Sequence, residues 1–341
     1  MIDLRSDVKT LPGPQMLEAM VTAELGDDVS EEDPTANALQ ARCAELTGKQ
    51  AALFVTSGTQ GNLVSVYSLI QPGEELICHE LAHCYHHERG GIAAVCGALV
   101  RPLPGPYGML DLEMLADTLS SGGLHRQRTG VVTLENTHNA CGGTALTAKQ
   151  MAAVAELAHE QGVPVHVDAA RICNAAAALG VTVAELAEPV DTLTLCFSKS
   201  LGAPAGAIVC GSAEFIAKTR QARKLFGGGM RQVGVLAAAA IWALEHNVPK
   251  LPDDHRRARQ IAETLAGLSG IDLDLASVQT NMVYFAVNRE DINASQLCER
   301  LAEYEVRAAA RDQHMIRFVT HLDISDRDAE TVCAALREIL A

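Results

Sequence analysis

Aromatic side chains are scarce in this chain, with one Trp, five Tyr and six Phe among 341 residues. A core of ordinary size must then come from Ala, Leu, Val and Ile. Basic charge is short as well: 27 Lys and Arg stand against 42 Asp and Glu, a formal net charge of −15. Such a balance disfavours nucleic acid or an anionic membrane as partner, and any anionic ligand has to be held by local cations. No apolar run approaches the roughly 20 residues of a membrane-spanning helix. Ten cysteines, at positions 43, 78, 84, 96, 141, 173, 196, 210, 298 and 333, show no paired framework in a chain with no signal peptide. They read as reduced core thiols of a cytoplasmic protein. Internal repeats and low-complexity segments are missing too, apart from alanine clusters that suit close helix packing.

What is present is alternation. Helical stretches at 35–47, 59–70, 111–120 and 147–161 interleave with strand-like runs at 51–56, 75–79, 131–135, 163–168, 191–196 and 206–210. That order predicts an α/β fold, a mostly parallel sheet sandwiched by helices. Helices at 212–223 and 232–247 follow, separated by Gly227-Gly228-Gly229. Beyond the break at Asn247-Val248-Pro249 come a charged helix over 253–268, strands at 282–287 and 315–319, and helices at 293–304 and 326–340. The expected division is 1–247, an N-terminal segment plus the large domain, and 248–341, a smaller C-terminal α+β domain, since one core rarely serves so long a chain.

Three strand ends carry polar groups that a core does not need. Lys199 follows the apolar run Asp191–Cys196 and has Ser198, Ser200 and Gly202 around it. Desolvation favours the neutral amine of a lysine, and small neighbours leave room for a bulky group on the nitrogen, as imine formation with a cofactor aldehyde requires. Asp168 ends the β-branched run from Val163 to Val167, at the sheet edge where α/β proteins bind ligands. A carboxylate there can keep a ring nitrogen protonated, or it can cap the next helix. Ser57-Gly58-Thr59 opens a helix after the strand 51–56, and helix N-terminal amides suit a phosphate. Imine lysine, ring-nitrogen carboxylate and phosphate turn together make the pyridoxal phosphate arrangement.

The chain resembles the low-specificity L-threonine aldolase family, pyridoxal phosphate enzymes of fold type I, the aspartate aminotransferase fold. The resemblance runs nearly end to end. It rests on Ile2-Asp3-Leu4-Arg5-Ser6-Asp7, Gly26-Asp27-Asp28-Val29, Asp33-Pro34-Thr35, Ser57-Gly58-Thr59-Gln60, Leu134-Glu135-Asn136-Thr137-His138-Asn139, His166-Val167-Asp168, Ser198-Lys199, Gly227-Gly228-Gly229-Met230-Arg231-Gln232 and Thr320-His321-Leu322-Asp323. It implies a lyase that cleaves threonine, allo-threonine or aryl-serines to glycine and an aldehyde. Another activity of the same fold, β-elimination or transamination, is the alternative.

By the resemblance, Lys199 carries the cofactor and Asp168 faces its ring nitrogen, while Ser57, Gly58 and Thr59 hold its phosphate. Arg171 and Arg317 grip the substrate carboxylate with Ser6 assisting, and Arg171 also contacts the cofactor. Arg317 lies between apolar residues in Ile316-Arg317-Phe318, so its guanidinium is expected to be buried and to need an anion, either a ligand or a fixed ion-pair partner. His83 stacks on the cofactor ring, and either His83 or His125 receives the β-hydroxyl proton. Lys224 and Arg231 reach the site of a neighbouring subunit, which makes the assembly a homo-oligomer, dimer or tetramer, with shared active sites. Four places depart from the family pattern: Ser30, His87, Ser200 and Cys141-Gly142-Gly143. Substrate range is where those departures bear.

His79-Glu80-Leu81-Ala82-His83 is a literal H-E-x-x-H, the pattern of zinc peptidases. Zinc binding by that pattern needs both histidines on one helical turn. Here the pentad directly follows the strand-like Glu75–Cys78 with no cap and no amphipathic run, so no metal is expected and a zinc hydrolase remains a remote alternative.

Overall fold

The computed structural model describes all 341 residues. Seven strands make the large sheet: β1 (Ala51–Val55), β2 (Glu75–His79), β3 (Leu99–Leu103), β4 (Arg126–Glu135), β5 (Val165–Asp168), β6 (Thr192–Cys196) and β7 (Ala207–Gly211). Their spatial order is β1-β7-β6-β5-β4-β2-β3, with Ser121–Gly123 added as a hairpin arm on β4. From β6 to β3 all neighbours run parallel, and only β7, between β1 and β6, is antiparallel. The strands expected from sequence are all found. β3 is an addition, an edge strand whose Pro102 costs no ladder bond on its open side.

Period-two burial shows why helices cover both faces. Ala52 and Phe54 of β1 join a cluster containing Leu39 and Cys43 from the helix Pro34–Thr47, and Ala237 and Ala240 from the helix Gly234–His246. Leu53 and Val55 point the other way, onto Val64 of the helix Gly58–Leu69 and Phe215 of the helix Ala213–Leu225. Each strand therefore reads as a continuous apolar run, as a doubly covered sheet requires. Helix starts follow their caps: Asp33 accepts from the Ala36 amide before a Pro at the first helical position, and Thr147 with Gln150 forms a capping box for Ala148–Glu160.

A second core of 24 buried residues is built on β8 (Ile271–Asp272), β9 (Met282–Val287), β10 (Ala309–Ala310) and β11 (Met315–Val319), an antiparallel sheet in the order β8-β9-β11-β10. The helices Leu251–Ala266, Ala294–Glu303 and Asp326–Ile339 cover it. We propose the domain division at 247/248, with one amendment. Ile2 and Leu4 pack in this second core, and Ile2–Asp3 pairs with Val306–Arg307, so the N-terminal segment bridges the two parts. No helix is long and apolar enough to cross a membrane, and all ten cysteines are free.

Candidate active site

The carboxyl ends of β2, β4, β5 and β6 converge on a cavity of about 270 Å³, and the chain segments that leave these strands supply His83, Asn139, Arg171 and Lys199 to its wall. Ser6 comes from the N-terminal segment and Arg317 from β11 of the small domain, so two domains and a strap close one space. β5 and β6 are parallel neighbours, which is how Asp168 and Lys199 come together from 31 positions apart.

Asp168 is buried and held by two donors, Asn62 Nδ2 at 2.8 Å and the Ala170 amide at 3.2 Å. Burial by itself would raise its carboxyl; the Lys199 charge, His83 and the Asn62 amide outweigh burial and keep the carboxyl below the usual carboxylate range. Asn62 also donates to Glu88 Oε1 at 2.9 Å, so its Oδ1 accepts from His166 Nε2 at 3.3 Å. His166 Nδ1 in turn accepts from the Thr192 hydroxyl at 2.9 Å, and burial pushes this imidazole down to about 4, which keeps it neutral. The two carboxylates thus fix which way the Asn62 amide faces, and the ring takes the matching tautomer.

His83 Nδ1 lies 2.9 Å from Glu88 Oε1. That oxygen already accepts from Asn62, so Nδ1 carries the proton and Nε2 is the nitrogen that titrates. Burial opposes protonation of His83, but the Glu88 hydrogen bond and the charges of Asp168, Glu88 and Glu135 raise it above its ordinary 6.5. Glu135, at the end of β4, accepts from the His83 amide and from the Asn139 amide, both at 2.8 Å.

Arg317 is the unbalanced group. It is 6% exposed, donates to Asn139 Oδ1 at 2.7 Å and to the Arg5 carbonyl at 3.0 Å, and leaves Nε with no partner. No carboxylate pairs with it, which removes the fixed ion pair as its explanation. Arg171, by contrast, is held bidentate by Asp7 at 2.6 and 2.7 Å. Asp7 also accepts from Ser200 Oγ at 2.8 Å, and despite full burial these partners with Lys199 hold its carboxyl far below the usual range. Arg171 therefore meets the cavity already neutralised.

Ser57 caps the helix Gly58–Leu69 by accepting from the Gln60 amide at 3.1 Å, and the helix's first amides have no intrahelical acceptor. Gly58 stands beside Cys196, itself 3.3 Å from Ser198 Oγ, so this helix end adjoins the lysine turn. A Cβ on Gly58 would meet Cys196 only at 3.9 Å, so packing does not demand glycine there. The cleared space, the lysine, the ionised Asp168 and the orphaned Arg317 fit pyridoxal phosphate with a carboxylate-bearing substrate beside it.

Of the expected residues, Ser6, His83, Arg171, Lys199 and Arg317 line this cavity, whereas His125, Arg231, Lys224 and Thr59 are not brought to it within the chain. His125 is exposed at the tip of the hairpin between Ser121–Gly123 and β4, at the amino end of a strand whose carboxyl end faces the site. Arg231 is 61% exposed and paired with Asp27 at 2.8 Å, and Lys224 borders a different cavity with Arg220 and Arg223. Thr59 is exposed on the first turn of its helix. The H-E-x-x-H pentad does not form a helical turn: His79 closes β2, with Nε2 3.0 Å from the Gly105 carbonyl oxygen and Nδ1 accepting from the Leu81 amide at 3.1 Å, and His83 opens a separate one-turn helix. Asp7, Asn62, Glu88, Glu135, Asn139 and His166 had no assigned role from sequence. Only Asn62, four residues beyond Gly58 and so on the same helix face, carried a positional signal.

A model of the family described as Beta-eliminating lyase matches residues 3–288. The low specificity L-threonine aldolase of Escherichia coli (strain K12) is 42% identical over 344 residues, covering 100% of both chains. The chain belongs to the low-specificity L-threonine aldolase family. Solved structures agree on the fold at lower identity. A threonine aldolase of Leishmania major superposes with a TM-score of 0.84 at 20% identity over 100% of each chain. An aspartate aminotransferase of Thermus thermophilus gives 0.73 at 18%, over 100% of this chain and 99% of that one. The fold is that of the aspartate aminotransferases.

Proposed function

We propose that this chain is a pyridoxal phosphate-dependent lyase that cleaves β-hydroxy-α-amino acids, threonine, allo-threonine and aryl-serines among them, to glycine and an aldehyde. The observation that carries the reading is Arg317, a buried guanidinium without an acid partner that faces the same cavity as Lys199. An unpaired buried cation is costly unless a ligand anion completes it, and an α-carboxylate is the anion every amino acid supplies.

Bound pyridoxal phosphate supplies an aldehyde and a ring that accepts the electron pair left when a bond at Cα breaks. Lys199 Nζ would hold the cofactor, Asp168 would face its ring nitrogen and favour the protonated form, and the helix end at Ser57, Gly58 and Thr59 would take its phosphate. Arg317 takes the substrate carboxylate, with Ser6 and the free edge of Arg171 beside it, and this grip decides which bond at Cα is presented for breaking. His83 Nε2 accepts the β-hydroxyl proton. Glu88 and Glu135 position His83, one through Nδ1 and one through its backbone amide. His125, Lys224 and Arg231 serve the site of another copy in a homo-oligomer, dimer or tetramer, working in the cytoplasm; their exposure at the surface supports that placement.

Product analysis tests the reading. Incubated with threonine, the holoenzyme is expected to release glycine and acetaldehyde in equal amounts. Ammonia with 2-oxobutanoate would move the chain to the eliminating class, and a keto acid with aminated cofactor to the transaminases.

A further inference from the structure

The cavity wall holds more positive charge than the proposed reaction uses. Asp7 neutralises Arg171, Lys199 is committed to the cofactor, and Arg317 takes the α-carboxylate. Arg311, which also lines the cavity, is then left over. It follows the short strand Ala309–Ala310, and its backbone amide donates to the Met315 carbonyl at 2.7 Å. Its guanidinium has neither an ion pair nor a hydrogen bond within the chain. It is not spent on the cofactor phosphate, because the helix end at Ser57 lies outside this wall. Its field is felt across the cavity: after burial, Arg311 is among the charges that press Arg317 below its ordinary value, and it also opposes protonation of His87.

The wall is also poor in apolar surface. Val8 is the one hydrophobic residue among the nine that line it, and His87 adds a polar ring 5.4 Å from that of His83. An alkyl or aryl group on Cβ gains little by entering such a space, because hydrophobic transfer scales with the apolar area buried. An anion gains a charge-assisted partner in the arginine fork.

We propose that this cavity selects β-hydroxy-α-amino acids carrying a second acidic group on the β-carbon side, through the unpaired Arg311 and the polar wall at His87; the proposal rests on the lyase reading above. 3-Hydroxyaspartate is the simplest member of the class. Its cleavage breaks the Cα–Cβ bond, the β-hydroxyl gives up its proton, and the electron pair stays with Cα, which takes a proton to become glycine. The other half leaves as glyoxylate, with no net oxidation and no co-reactant.

The test compares kcat/KM of the holoenzyme for both β-configurations of 3-hydroxyaspartate, for threonine and for phenylserine, by glycine release. The better configuration of 3-hydroxyaspartate is expected to exceed threonine by about tenfold or more, an advantage that shrinks as salt is raised. Arg311→Gln is expected to cut the ratio of the 3-hydroxyaspartate value to the threonine value by about tenfold. Cleavage of threonine or phenylserine at equal or higher kcat/KM, or a ratio unmoved in Arg311→Gln, overturns the selectivity and leaves the lyase reading standing. Glycine from none of the four overturns both.

Discussion

Arg317 and Arg171 show what a single residue's surroundings decide. Both are buried arginines at the same cavity, yet one is locked to Asp7 and the other lacks an acid, and only the second calls for a ligand. His83 adds a pH signature. Its partners raise it above 6.5, and a base must be unprotonated, so activity is lost as pH falls through that raised value and is full above it. The acid limb of kcat/KM for threonine is expected above the ordinary 6.5 of a free histidine, and His83→Asn is expected to remove that limb with a loss of about a hundredfold or more. A limb that survives the substitution at the same pH assigns the proton transfer elsewhere. Lys199, Asp168 and Arg317 were legible because each interrupts or ends an apolar run where a core tolerates no bare charge. Asp7 was not, because its claim on Arg171 spans 164 residues and nothing local to it differs from an ordinary helix-start acid.

At the scale of elements, the helix Gly58–Leu69 does two jobs that two glycines separate. A Cβ on Gly61 would come within 2.4 Å of Thr194 Cγ2 on β6, whereas a Cβ on Gly58 meets nothing closer than 3.9 Å. Gly61→Ala is therefore expected to lower stability by about 1–3 kcal/mol through forced displacement of helix from sheet. Gly58→Ala is expected to leave the melting temperature of the apo protein nearly unchanged and to weaken pyridoxal phosphate binding, read by titration of the apo protein. Equal thermal losses in the two variants contradict the assignment of Gly58 to the cofactor. Element reading from sequence worked where strands were doubly buried and helices capped. It missed β3, whose Arg101-Pro102 pair breaks the apolar pattern and is tolerated only because the strand sits at the sheet edge. The one-turn helix at His83–His86 was missed as well, being too short to show a period.

For the molecule as a whole, the site is a junction. The N-terminal segment pairs with Val306–Arg307, Leu4 O accepts from the Val319 amide at 2.9 Å, and Asp7 then crosses to the large domain, so the strap ties the small domain that carries Arg317 to the large domain that carries Lys199. Arg231, Lys224 and His125 lie outside the cavity of their own chain, and the role proposed for them needs a second copy. Mixing Lys199→Ala with Arg231→Ala chains under subunit exchange is expected to restore up to about a quarter of wild-type activity, since half of random dimers are mixed and each holds one intact site. Mixtures no more active than the separate variants contradict shared sites.

Everything depends on Lys199 being the amine that meets the cofactor. Borohydride reduction of the holoenzyme followed by peptide mass mapping reads this directly: the account expects the phosphopyridoxyl group on the Lys199 peptide alone, with Lys199→Ala unlabelled and inactive. A label on any other lysine, or cofactor released unattached, contradicts it.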